Sequence, residues 1–202
     1  MRGTDFRDIP GWFNWPDIYE EVVRDAVSGQ AHVVETGTFF GRSAAFLGML
    51  IVESGKDIKF DTWDIWVGGQ GAVPQGELDM VSPFVMVQLA PAWLTLKLTE
   101  ETTRKHLEGW PVNVCSGDAL KAAQLYEDNS LDLVYLDDDH SLQHVYEECM
   151  AWWPKVKKGG RLAGHDWNWP SVQDGVNNWL WSTPERLVVE SRPPQSWQVR
   201  RG

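Results

Sequence analysis

The chain has 202 residues, 43% apolar and 23% charged, which is enough to bury one core, and no Gly/Ser/Pro linker or internal repeat divides it. Its 29 acids against 18 bases leave a net charge of -11, a surface that repels a phosphate backbone, so nucleic acid is excluded as an expected partner. No apolar run approaches the roughly 20 residues that span a bilayer, and the first residues lack the apolar run of a secretion signal, so no membrane partner and a cytoplasmic location are expected.

From the amino end, Pro16 followed by Asp17–Ser28, with Ile18, Val22, Val23, Ala26 and Val27 on one side and Gly29 behind, predicts an amphipathic helix closing an amino-terminal segment, 1–29. Ala31–Glu35 is a short apolar run ending in an acid. It leads into Thr36-Gly37-Thr38-Phe39-Phe40-Gly41-Arg42-Ser43, a glycine turn before a helix, as suits a nucleoside-bearing cofactor. Ser43–Glu53 is apolar nearly all round and predicts a helix packed on a sheet.

Ile58–Trp63 predicts a second strand carrying Asp61, with Asp64 just beyond; Glu35 and Asp61 are separated by about one βαβ unit. The glycine-containing stretch 67–83 has no periodic pattern and is a candidate lid. Helical material follows, interrupted around Pro91. Val112–Ser116 predicts a third strand before Gly117-Asp118 and a short helix, and Leu131–Leu136 a fourth, running into Asp137-Asp138-Asp139-His140. A helix from Leu142 to Lys157 and a fifth strand, Arg161–Gly164, lead to His165-Asp166. Beyond Trp167 come a helix to Trp181 and two strands, 186–190 and 196–200.

Alternating strands and helices predict an α/β fold with a mostly parallel sheet covered on both faces. Glu35, Asp61, Asp118, Asp137 and His165-Asp166 then all fall at the carboxyl edge, where such sheets bind ligands. Cys115 and Cys149 read as reduced apolar fillers. Most of the thirteen tryptophans read as packing residues, with Trp63 and Trp167, at strand ends, as candidate pocket walls.

Taken together, four ordered motifs, Glu35 to Ser43, Phe60 to Trp63, Leu136 to Leu142 and Gly159 to Asp166, resemble the class I S-adenosylmethionine-dependent methyltransferases, within a subgroup of small O-methyltransferases and proteins named after cephalosporin hydroxylase. The resemblance spans residues 30–167. It implies a Rossmann-like sheet of seven strands or slightly fewer, with 196–200 and its partner strand as the closing antiparallel hairpin.

It also implies methyl transfer from S-adenosylmethionine to a hydroxyl of a small molecule, a sugar or a secondary metabolite. Glu35, Gly37, Thr38, Gly41 and Ser43 would contact the amino-acid half of the cofactor, Asp61 the ribose, with Trp63 beside it. Gly117 and Asp118 would lie near the adenine, unless Asp118 simply caps the next helix. Asp137, His165 and Asp166 form a candidate site for a divalent cation, magnesium in the relatives, with His165 leaving room for manganese or no metal. Asp137 and His140 are the candidate catalytic residues, His140 as general base for the acceptor hydroxyl. His144, one turn later, reads as a surface or packing residue.

The alternatives are a non-catalytic ligand- or carbohydrate-binding relative and a nicotinamide-dependent oxidoreductase. The latter expects G-x-G-x-x-G, which Gly37-Thr38-Phe39-Phe40-Gly41 lacks. A nucleic-acid methyltransferase is disfavoured by the acidic charge and by Asp137-Asp138-Asp139-His140 standing where an N-P-P-Y tetrapeptide is expected. A homodimer could complete the acceptor pocket.

Overall fold

The computed structural model describes residues 3–66 and 96–202; the expected lid, 67–83, lies outside them. Seven strands form one sheet: β1 (Ala31–Thr36), β2 (Ile58–Asp64), β3 (Asn113–Ser116), β4 (Leu131–Leu136), β5 (Val156–Gly164), β6 (Val189–Arg192) and β7 (Ser196–Arg200). Their spatial order is β3-β2-β1-β4-β5-β7-β6. β1 to β5 are parallel, and β7 runs antiparallel to both β5 and β6.

Apolar residues on alternate sides of the strands bury two layers. Val33, Phe60, Leu133 and Tyr135 face α1 (Pro16–Asp25) and α2 (Arg42–Ser54), with Leu107 of α3 (Leu96–Leu107) joining that core. Val34, Val134, Leu136 and Leu162 face α4 (Ala119–Ala122), α5 (Leu142–Trp152) and α6 (Pro170–Ser182). Most tryptophans are packing residues, as expected: Trp15, Trp152, Trp179 and Trp197 are at most 1% exposed. Cys149 is buried and Cys115 half-buried, and both are free thiols. No described helix is long and apolar enough to cross a membrane.

Several element boundaries differ from those expected, among them β6, which lies at Val189–Arg192 instead of 186–190. α1 stops at Asp25, because Ala26 turns to extended backbone. α5 stops at Trp152, where Pro154 allows only a short 3-10 turn, Trp153–Lys155, since proline cannot continue the ladder. β5 therefore starts at Val156 and carries Gly159-Gly160 inside it, past an irregularity in its pairing with β4. At Gly160 any Cβ would stand about 3 Å from three carbonyl oxygens.

The strand ends that matter are tied in register. Beyond the last ladder pairs, Gly117 N–H donates to Asp64 O, Gly37 N–H to Trp63 O, Asp137 N–H to Thr36 O and His165 N–H to Leu136 O, at 2.9 to 3.1 Å. Residues far apart in sequence are thereby fixed side by side along one edge.

Candidate active site

The glycine turn is shaped by its protein neighbours. Gly37 has φ +82, and a Cβ on it would stand 1.9 Å from the Asp137 carbonyl oxygen, so glycine is required for β1 and β4 to end against each other. Gly41, φ +84, begins α2 in left-handed geometry, and its Cβ would meet Leu107 at 3.0 Å. Between them Phe39 is itself left-handed, φ 49. Its N–H donates to Asp64 Oδ2 (2.9 Å) and its carbonyl accepts from Thr103 Oγ1 (2.5 Å). The close approach expected toward a cofactor is, at Gly37, an approach to the backbone of Asp137.

Glu35 is fully buried and faces hydroxyls. Tyr19 O–H donates to one carboxylate oxygen and Thr62 Oγ1 to the other (3.1 Å). Ser43, buried in the first turn of α2, adds a hydrogen bond, and Thr38 Oγ1 meets Thr62 Oγ1 at 2.7 Å. Burial outweighs these donors and pushes the Glu35 carboxyl up to about 7. Glu35, Thr38, Thr62 and Ser43 thus form a polar footing under the turn, and any bound group would feel Glu35 through them.

The structure separates the two acids of β2. Asp61 lies inside the strand, paired with Val34 and Asn113. Its carboxylate accepts from Tyr126 O–H (2.8 Å) and Asn113 Nδ2 (3.1 Å) and meets His32 Nε2 at 2.8 Å. Burial alone would raise it, but these partners hold it below the usual carboxylate range. Its oxygens are thus engaged three residues short of the sheet edge. The acid at the edge is Asp64, touching the glycine turn through Phe39 and accepting Trp66 N–H at 2.9 Å; burial, helped by the Asp138 charge, raises it. The ribose-facing role is expected of Asp61; by register Asp64 is the acid at the strand end.

Trp63 donates its indole N–H to Tyr126 O–H (2.8 Å) and lies against Gly117, whose Cβ would be 3.2 Å from the ring. Asp118 caps α4, accepting Lys121 N–H at 2.9 Å. Of the two readings left open for it, this contact is the one seen. Trp167 packs into the core near Trp197.

At the ends of β4 and β5 the expected cluster assembles. One ligand atom each from Asp137, His140, His165 and Asp166 lies within 4.8 Å of all the others. His140 Nε2 is 2.8 Å from Asp166 Oδ2 and 3.6 Å from Asp137 Oδ1, while His165 Nδ1 is 3.2 Å and 3.5 Å from the same oxygens. Asp166 is in left-handed backbone, φ 51, a cost that side-chain convergence here offsets.

Burial raises the Asp137 carboxyl. Burial would likewise raise Asp166, but the two imidazoles hold it well below the ordinary range. Burial works to lower His140, yet the carboxylates of Asp137 and Asp166 overcome it and raise the ring to about 10. Without a cation between the carboxylates the cluster favours the protonated form of His140, whereas the base role expected for it requires the neutral ring.

The donor set, carboxylates with imidazole nitrogen, fits a borderline divalent cation, manganese, iron or zinc, better than magnesium. A second group, Asp138, His144 and Glu148, also converges within 4.8 Å, with Thr36 Oγ1 donating to the buried Glu148 at 3.1 Å. Glu148 was missed from sequence, and the signal that finds it is its i,i+4 spacing from His144 on one helix face.

Three comparisons bear on this geometry. A methyltransferase-domain family matches residues 34–167. No curated protein matches the chain significantly in sequence. Among solved structures, the chain is similar to the O-methyltransferase NovP, with 15% identity, a TM-score of 0.69, and coverage of 92% of this chain and 78% of that one. It is similar to CalS11, a calicheamicin methyltransferase, at 17% identity and TM-score 0.57, covering 92% and 76%. It is also similar to SMU.1697c of Streptococcus mutans, a putative methyltransferase in complex with SAH, at 10% identity and TM-score 0.56, covering 93% and 98%. With two thirds of its length matched and the 3-2-1-4-5-7-6 sheet in place, the chain belongs to the methyltransferase-domain family, as a class I S-adenosylmethionine-dependent methyltransferase.

Proposed function

We propose that the protein methylates a hydroxyl of a small polar molecule, a sugar or a secondary metabolite, with a divalent cation at Asp137, His165 and Asp166. The observation that carries this is the convergence of two carboxylates and two imidazoles at the edge that also holds the glycine turn. Two similar structures, NovP and CalS11, bear names of an O-methyltransferase and a calicheamicin methyltransferase.

The cofactor reading has its own electrostatic support. Asp64 and the Asp137–Asp138 backbone lie against the turn, with Asp166 beside Asp137, and S-adenosylmethionine brings a sulfonium and an ammonium to that acidic edge. Asp64, with the register of β2 behind it, is the residue proposed to accept the ribose hydroxyls. The turn from Gly37 to Ser43, footed on Glu35, would receive the amino-acid half, and the Gly117–Asp118 corner the adenine.

In the transfer, the acceptor oxygen attacks the methyl carbon in line, the carbon–sulfur bond breaks with its electrons going to sulfur, and the hydroxyl proton leaves to a base. The protein's task is to hold the oxygen close to the methyl and to receive that proton. A bound cation would supply charge that acidifies the hydroxyl and replaces the neutralising proton of the cluster. His140, beside Asp137 and Asp166 and packed at 5.0 Å from Trp169, would then be neutral and able to accept the acceptor's proton.

Calorimetry with SAH and with S-adenosylmethionine tests the cofactor half; absence of binding by both sinks it. For the acceptor half, turnover on a panel of hydroxylated sugars and aglycones is measured with Mn2+, with Mg2+ and after chelation. Undiminished turnover in the chelated protein, or in Asp137→Ala, removes the cation.

A further inference from the structure

Two segments outside the family-matched span 34–167 converge on His165. One is the stretch before α1, held down by Arg42 Nη1, which donates to Gly11 O at 2.9 Å. The other is the turn between β6 and β7, where Gln195 O accepts Trp167 N–H at 2.8 Å.

From the first comes Asn14, from the second Gln195. Asn14 Nδ2 donates to Gln195 Oε1 at 3.3 Å, which turns the amide so that Oδ1 faces His165 Nε2 at 3.0 Å. With the amide turned this way its oxygen can only accept, which favours the His165 proton on Nε2. The other ring nitrogen, Nδ1, points at Asp137 and Asp166. His165 is only 7% exposed, and its ring is backed by Trp15, centroids 4.4 Å apart, itself stacked on Tyr135 at 5.0 Å. The ring therefore has little room to turn over.

We propose that Asn14, oriented by Gln195, is a positioning residue that keeps the His165 proton on Nε2 and so presents Nδ1, with its lone pair, to the cation shared with Asp137 and Asp166. This rests on the cation reading above. The physical need is specific. Two carboxylates beside Nδ1 are stronger acceptors than an amide and draw an N–H toward themselves. A ring protonated only at Nδ1 would meet an incoming cation with a positive edge. An acceptor fixed behind Nε2 counters that pull, the service that outer carbonyls and carboxylates perform for metal-bound histidines.

The test uses Mn2+ alone as probe, with free ion counted by electron paramagnetic resonance, on the full chain without cofactor or acceptor. Asn14→Leu is expected to weaken Mn2+ binding about 10- to 100-fold, the usual cost of losing such a partner. Asn14→Asp keeps an acceptor oxygen and should restore binding to the wild-type level or better. Gln195→Leu should weaken the wild type but not Asn14→Asp, because a carboxylate has an acceptor whichever way it turns. That non-additivity is a readout a purely structural role would not give.

Asn14→Asp binding as poorly as Asn14→Leu overturns the proposal, as does Asn14→Leu binding like wild type. If the wild type itself takes up no Mn2+, the cation reading falls, and the nitrogen-15 signals of His165 decide the relay alone. A proton resident on Nε2 in wild type and lost from it in Asn14→Leu supports the relay; identical signals in both refute it.

Discussion

Gly37→Ala separates what a glycine contributes by backbone freedom from what it contributes by having no side chain. Two costs add. The φ of +82 is a left-handed conformation that costs an ordinary residue roughly 1–2 kcal/mol. The new methyl would also lie 1.9 Å from Asp137 O and 2.8 Å from Asp138 N, backbone atoms that cannot rotate aside, so β1 and β4 must part at their ends, for about 1–3 kcal/mol more. The total expected is about 2–5 kcal/mol.

Gly55→Ala is the matched control. Gly55 caps α2 at φ +65 with nothing within 4 Å of its Cβ position, so it should lose only the conformational part, roughly 1–2 kcal/mol. Urea denaturation of the three proteins gives both numbers, and SAH calorimetry reads the edge directly, since parting the strands displaces Asp137 as well as the turn. A Gly37→Ala protein no less stable than Gly55→Ala, or one that binds SAH as wild type does, refutes the reasoning that this glycine exists to let the two strand ends meet.

Glu35→Gln carries a pH signature. A carboxyl raised from the usual 4.5 to about 7 by burial binds its proton more tightly in the native state than in the unfolded one, so wild-type stability falls as pH rises through that window. At 1.36 kcal/mol per unit the full effect is about 3 kcal/mol. Glu35→Gln should therefore gain on the wild type by up to that amount between about pH 5 and about pH 8, and a difference independent of pH disproves the buried-acid account. Asp64→Asn should weaken SAH binding about tenfold or more by calorimetry, the scale of a hydrogen bond to a charged group. Asp61→Asn should leave that affinity within about threefold while lowering stability by about 1–3 kcal/mol through His32 and Tyr126; the reverse pattern returns the ribose role to Asp61.

Much of the site was legible because ligand chemistry in this fold sits at strand ends, and strand ends leave marks in sequence. Asp137 and His165-Asp166 follow apolar runs that could only be buried strands, so their convergence follows once those strands are neighbours. Asp61 and Asp64 show where this stops. The sequence puts Asp64 just past the strand, but only the pairing of Thr36 with Trp63 and the His32, Asn113 and Tyr126 contacts show Asp61 enclosed within it.

The glycine turn shows the same limit from another side. Its sequence demanded left-handed backbone and close approach, and both are present. What approaches Gly37 is the Asp137 carbonyl, a contact between β1 and β4 that one strand's sequence cannot contain. Protonation is partly non-local: Glu35 is lifted by burial under α1 and α2, and His140 is raised by Asp137, three residues before it, together with Asp166 from the end of β5.

By itself, then, the sequence determined the alternation of strands and helices, the carboxyl edge as the site, and the residue types gathered there, because those depend on local periodicity and on the short motifs that end each strand. Tertiary structure alone decided the register that promotes Asp64 over Asp61, the charge state of His140, and the reach of Asn14 and Gln195 to His165. The contacts that decide them include pairs 25 to 181 positions apart, set by how the sheet's two faces and its closing hairpin pack.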